Sequence, residues 1–119
     1  MWYTSKRGRS DFIIYILIGF AFGYIEIYIK PNTTAEVVCH YKGNQRKPIT
    51  WNKSNNVIGL GDIVADREGK FTISNNTGAE KSILEIVNFS VRDEDIYSCS
   101  GVHGTDIFEM YFNIHICGK

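Results

Sequence analysis

Three kinds of residue in this 119-residue sequence could do chemistry or carry a modification: cysteines, histidines and Asn-x-Ser/Thr triplets. The cysteines are Cys39, Cys99 and Cys117, an odd number. The histidines are His40, His103 and His115, each in a segment that reads as a turn or as the outward side of a strand, where a solvated imidazole is expected. His115 and Cys117 together offer two ligands, short of the four a closed zinc site uses. The sequence contains no Gly-x-Ser-x-Gly, no His-Glu-x-x-His and no pair of carboxylates in an apolar setting, so no catalytic residue, metal site or cofactor is expected. The triplets are Asn32-Thr-Thr, Asn52-Lys-Ser, Asn75-Asn-Thr and Asn88-Phe-Ser. Composition alone would place about one such acceptor by chance, and four argue for passage through a glycosylating compartment.

The charge balance points the same way. Thirteen basic residues against thirteen acidic ones leave no net charge, which argues against electrostatic binding of nucleic acid, since that needs a concentrated basic surface. An apolar fraction of 44% in a chain of this length supports one domain with its own core. Lys6, Arg7 and Arg9 precede an apolar run over residues 12–22, which is shorter than a bilayer span and of the length of a secretory leader. Ala21 and Gly23 are small residues at the positions a signal peptidase reads, so residues 1–23 are expected to be a signal peptide cleaved before Tyr24. Cleavage after Ala21 is the competing site, and a buried strand or an uncleaved anchor is the alternative for the run. Residues 24–119 contain no further apolar run long enough to span a membrane, and the expected location is secreted or extracellular, with association at the cell surface.

From residue 24 onward the apolar residues alternate with period two, as in strands with one buried face. Ile25, Ile27 and Ile29 form one set, Val37, Cys39 and Tyr41 the next, and Ile49 with Trp51 a third. Phe71 with Ile73, Leu84 with Ile86, and Phe108, Met110, Phe112, Ile114 and Ile116 continue the pattern, while residues 62–68 show none. No window has a helical period. About seven short strands with polar turns between them indicate an all-β antiparallel sandwich.

The spacing of particular residues then becomes specific. Trp51 follows Cys39 by 12 positions, and Cys99 follows Cys39 by 60. Leading into Cys99 are Leu84, Ile86, Phe89, Asp93, Asp95 and Tyr97 at the spacing Leu-x-Ile-x-x-Phe-x-x-x-Asp-x-Asp-x-Tyr-x-Cys. This pattern resembles the immunoglobulin superfamily over residues 24–116. The resemblance implies an immunoglobulin-like sandwich (residues 24–117, with 118–119 as a tail), a disulfide between Cys39 and Cys99, and Trp51 against that bridge. It also implies a corner in which the Tyr97 hydroxyl bonds backbone near Asp93, and an ion pair between Lys70 and Asp93. Asp95 stands where the family usually has Gly or Ala, and the Gly-x-Gly bulge of antigen-receptor variable domains is absent. The 19 positions from Trp51 to Lys70 are too few for two additional strands, which favours an I-set or short V-set domain. Within the family, residues 66–104 are most similar to the membrane-proximal domain of the basigin, neuroplastin and embigin group.

The resemblance implies a binding module without catalysis, recognising another extracellular or cell-surface protein in adhesion or signalling, another immunoglobulin-like domain included. Two variants of that reading are a truncated form of a basigin-like single-pass protein and a soluble decoy of a host receptor. Cys117, the odd cysteine, is a candidate for an intermolecular bridge in a homodimer or for a free thiol. The candidate contact residues are Arg46 and Lys47 in a basic loop and His103 in a second loop at the same end. Trp51 points inward, so Asn52 points outward, and a glycan there would stand on the sheet face and leave that loop end for contact.

Overall fold

The period-two segments become strands in the computed structural model, which describes residues 2–6, 13–18, 23–41, 48–66, 68–76, 78, 80–103 and 105–118. The strands are β1 (Trp2–Lys6), β2 (Ile13–Ile18), β3 (Tyr24–Ile29), β4 (Ala35–His40), β5 (Thr50–Lys53) and β6 (Asn56–Leu60), followed by β7 (Ile63–Val64), β8 (Phe71–Asn76), β9 (Lys81–Ile86), β10 (Asp95–His103) and β11 (Asp106–Ile116). Among the described residues the helical content is one three-residue 3₁₀ turn, Val91–Asp93.

Two sheets result. The larger has the order β1-β2-β3-β11-β10-β5-β6-β7 and the smaller β4-β9-β8. Neighbouring strands run antiparallel except β3 and β11, which pair in parallel with Ile25 beside Phe112 and Ile29 beside Ile116. Residues 13–18, the centre of the expected leader, pair antiparallel with β3 from Ile14 opposite Ile29 to Ile18 opposite Ile25.

Alternation explains the core. Ile27, Ile29, Val37, Trp51, Leu84, Ile86, Tyr97, Phe112 and Ile114 all point between the sheets and are buried. Each large side chain of this kind contributes about 1.5–3 kcal/mol relative to its exposed state. The sheets approach so closely at Gly59 that a Cβ there would overlap the Ile73 side chain of the opposite sheet. At Gly101 a Cβ would lie 2.6 Å from Phe108 and 2.8 Å from Ile49.

The interval between Trp51 and Lys70 is where structure and sequence expectation differ. It holds a five-residue β6 and a two-residue β7, so two additional strands do fit, in shortened form. The hairpin from β5 to β6 turns on Ser54 and Asn55, with Ser54 at φ 55°. A bulge sets Trp51 opposite Gly59 but Asn52 opposite Val57, so β6 carries one extra residue there and its inward and outward positions stop alternating. A period-two search passes over such a strand.

Candidate functional site

The buried centre is built on β5 and β10 of the larger sheet and β4 of the smaller one. Cys39 on β4 and Cys99 on β10 form a disulfide across the two sheets, with Sγ atoms 2.04 Å and Cα atoms 6.4 Å apart, and both residues are fully buried. Trp51 lies directly opposite Cys99 in the β5–β10 ladder. Its indole Nε1 donates to the Ser82 hydroxyl at 2.9 Å, and its ring stacks on Phe112 with centroids 6.0 Å apart. A buried indole N–H needs such a partner, and Ser82 on β9 supplies it.

Below the bridge lies a second buried group. The Tyr97 hydroxyl donates to the Asp93 carbonyl at 2.7 Å. Burial pushes the phenol of Tyr97 far above its ordinary range, and the charges of Asp93 and Asp95 add to the effect. The Asp93 carboxylate accepts from the Ser90 backbone N–H at 2.8 Å and pairs with Lys70 Nζ at 2.7 Å. Lys70 Nζ also donates to the Asn88 carbonyl at 3.0 Å. The pair is unequal: the Asp93 side chain is 6% exposed and that of Lys70 28%. Asp93 is therefore a buried node joining the 3₁₀ turn, β8 and β10. Asp66, which carries no signal in the sequence, opens β8 by accepting backbone N–H bonds from Glu68, Lys70 and Phe71. Those bonds, led by Glu68, hold its carboxyl below the ordinary range.

The four acceptor asparagines lie on different surfaces. Asn32 and Asn88 are exposed and left-handed, at φ 64° and 53°, in two turns tied together by the bond from Asn32 N–H to the Phe89 carbonyl. Asn75 is exposed on β8, and Asn52 is partly buried on β5. Cys117 is a free thiol, partly exposed, just beyond β11. The bridge is intramolecular, so a disulfide-linked homodimer gains no support from it. Among the described residues no three His, Cys, Asp or Glu side chains gather as a metal site, and no helix is long and apolar enough to cross a membrane.

Of the candidate contact residues, Arg46 and Lys47 lie outside the described residues, and His103 is the last residue of β10. The structure also displays the outer sheet face that strand alternation implies around Asn52. Because Trp51, Cys99 and Met110 face inward, their neighbours Thr50, Asn52, Ser98, Ser100, Glu109 and Tyr111 line the outer face of the larger sheet. Ser98 joins Tyr111 to Asn52 in one row, and Ser100 joins Glu109 to Thr50 and Leu60 in the next. The Tyr111 hydroxyl donates to the Glu109 carboxylate, and that bond raises the Tyr111 phenol above its ordinary range. Nearer the loop end the face is apolar. Ile107 is 73% exposed, Ile63 70% and Leu60 48%. A shallow depression of about 310 Å³ opens among Pro48, Thr50, Leu60, Ser100, Gly101, Val102 and Ile107, without a charged residue in its lining. Its lining includes Pro48 ahead of β5, and Val102 and Ile107 on either side of the β10–β11 turn.

No protein-family model and no curated protein sequence matches the chain. Solved structures do. A chain of the crystal structure of Dpr1 IG1 bound to DIP-eta IG1 matches with a TM-score of 0.63 at 16% identity, covering 86% of this chain and 96% of that one. The ZIG-8 first-domain homodimer matches with a TM-score of 0.61 at 15% identity over 76% of this chain and 78% of that one. The titin I-band fragment I67-I69 matches with a TM-score of 0.61 at 19% identity over 76% of this chain and 29% of that one. At these identities the likeness is one of architecture, and together with the Cys39–Cys99 bridge it shows an immunoglobulin-like β-sandwich.

Proposed function

We propose that this protein is a secreted, glycosylated recognition module that binds another extracellular or cell-surface protein and carries no catalytic chemistry. The contact would fall on the loop end of the larger sheet, with Leu60 and Ile107 at its centre and Arg46, Lys47 and His103 on its rim. The observation that carries this reading is the uncharged depression flanked by two large, exposed aliphatic side chains. Protein interfaces concentrate their energy in such an apolar centre inside a polar rim. The neighbours supply a precedent for the class of partner, since the Dpr1 domain is bound to an immunoglobulin domain and ZIG-8 to its own copy. A glycan on Asn52 would stand one row from the depression, on the side away from the loops, and would confine a partner to the loop end. The narrower likeness of residues 66–104 to the basigin group draws no support from these neighbours.

The test is crosslinking of the secreted protein on living cells, identification of the captured surface protein, and titration of the purified pair. Leu60→Arg and Ile107→Arg should each weaken binding at least tenfold, and a double Arg46→Glu, Lys47→Glu change should slow association and reduce its salt dependence. Unchanged affinity in both aliphatic variants would place the contact elsewhere.

A further inference from the structure

We infer that removal of residues 1–23 turns β3 into a pairing edge for a second copy of this chain, the two β3 strands running antiparallel about a two-fold axis at Ile27. The inference rests on the reading of residues 1–23 as a cleaved leader. In the structure one side of β3 is paired with β11, and the other accepts β2 from Ile14 opposite Ile29 to Ile18 opposite Ile25. The N–H and C=O groups on that outer side are thus aligned for an antiparallel strand along almost the whole of β3. Cleavage before Tyr24 takes β2 away and leaves these groups bare.

Edge strands are ordinarily blunted by proline, by a bulge, by lysine or by being very short. The sequence of β3, Tyr-Ile-Glu-Ile-Tyr-Ile, contains no proline, bulge or lysine; its one charge is Glu26, and Lys30 and Pro31 fall just beyond its last residue. The opposite end of the same sheet is blunted, because β7 has two residues. On the smaller sheet, the edge strand β8 carries the acceptor Asn75. The outward side chains of β3 are also already held in place. Tyr28 stacks on His115 with centroids 4.9 Å apart, and Glu26 accepts from Asn113 at 3.3 Å and lies 3.4 Å from His115. Such an edge needs little ordering before it pairs.

Strand length and charge together select the register. Directly opposite residues of an antiparallel pair lie on the same face, so inward Ile25, Ile27 and Ile29 must meet inward residues. A two-fold at Ile27 sets Ile25 against Ile29 and Glu26 against Tyr28, whereas a two-fold at Glu26 would set two carboxylates against each other, and one at Tyr28 would pair only Ile27 to Ile29 within β3. The first arrangement closes on itself and stops at two copies.

The experiment uses protein secreted from cells that express the whole chain, with Cys117→Ser so that added thiols report alone. Intact mass and N-terminal sequencing read the cleavage, and sedimentation at rising concentration reads the assembly. The expected result is a chain that begins at Tyr24 or Phe22, and a mass that rises with concentration from one domain to two. Differently tagged Glu26→Cys and Tyr28→Cys chains, secreted together, should form a mixed disulfide that neither forms alone. A cleaved chain that stays monomeric overturns the inference and leaves the leader reading intact. Disulfide dimers of Glu26→Cys alone overturn the register. Retention of residues 1–23 overturns the leader reading and the inference together, because β2 then covers the edge.

Discussion

The two surfaces of the larger sheet hold side chains from the same strands, one residue apart, and they obey different rules. On the inner surface Trp51, Tyr97, Cys99 and Phe112 are each 2% exposed or less, and every buried polar atom described above has a named partner. On the outer surface Leu60, Ile63 and Ile107 are 48%, 70% and 73% exposed. The inner surface answers to the other sheet, whose side chains fix its shape. At the loop end of the outer one the aliphatic side chains remain exposed, so they are available for something outside the chain. Stability and recognition should therefore separate almost cleanly between residues that alternate along one strand, and substitutions can test how cleanly.

The largest effect belongs to the inner surface. Trp51→Ala removes the biggest buried side chain beside the bridge and leaves the Ser82 hydroxyl unpaired, and should cost about 3–5 kcal/mol in denaturant unfolding. Replacing Cys39 and Cys99 together by alanine releases a 60-residue loop and should cost about 2–5 kcal/mol. A loss under about 1 kcal/mol in both would mean that the inner surface tolerates voids, contrary to its packing.

Next comes Tyr97. Its hydroxyl satisfies the Asp93 carbonyl, so Tyr97→Phe should cost about 1–3 kcal/mol, the penalty of leaving a buried acceptor without a partner. The pH dependence has a definite sign. The folded-state phenol titrates above its unfolded value, so its contribution is complete below about pH 10 and falls away as pH rises beyond it, where only the unfolded chain can ionise. Unfolding midpoints measured from pH 8 to pH 11 should decline for the parent protein, and more gently for Tyr97→Phe.

Smaller still is the Lys70 side of the corner. Ion pairs contribute little where they are exposed, and the structure divides Lys70 from Asp93 on that criterion. Lys70 is partly solvated, and Lys70→Met should cost less than about 1 kcal/mol. Asp93 is buried and also holds the Ser90 N–H, so Asp93→Ala strands a backbone donor as well as an ammonium and should cost more than Lys70→Met. Equal losses in the two variants would show that the ion pair is the whole of the interaction.

What could be read from residues alone follows the same division. Cysteine, tryptophan and tyrosine at fixed intervals are visible because a bridge between two sheets, an indole against it and a corner hydroxyl each demand one residue type at one place. Asp66 carries no such mark, since its bonds run to backbone N–H groups that every residue offers. The strand β6 was hidden by its bulge, which breaks the alternation that reveals its neighbours. The apolar depression was hidden for a related reason. Leu60 looks like a core residue in a sequence, and only its pairing with Thr50 turns it outward; Ile107 is out of phase with the inward set from Phe108 to Ile116, but its place beside Leu60 and Pro48 is a tertiary fact.

The smallest expected effect on stability is therefore the sharpest test of the comparison. Leu60→Ser and Ile107→Ser remove aliphatic surface that is 48% and 73% exposed, so each gives up little buried area. Substitutions at such positions change stability by no more than about 0.5 kcal/mol in either direction. Exposed aliphatic side chains on a strand do favour pleated backbone, and serine gives up part of that preference, so the sign should be a slight loss, larger at Leu60, which is less exposed. Chemical denaturation of both variants against the parent, at matched glycosylation, measures it. A loss above about 1 kcal/mol would mean that the outer residues contribute to the fold much as Trp51 does, and that an apolar face on this sheet is a second core surface rather than a place for a partner. A change within the expected range, with the unfolding slope unaltered, leaves these side chains without a role inside the domain, which is what a contact surface requires.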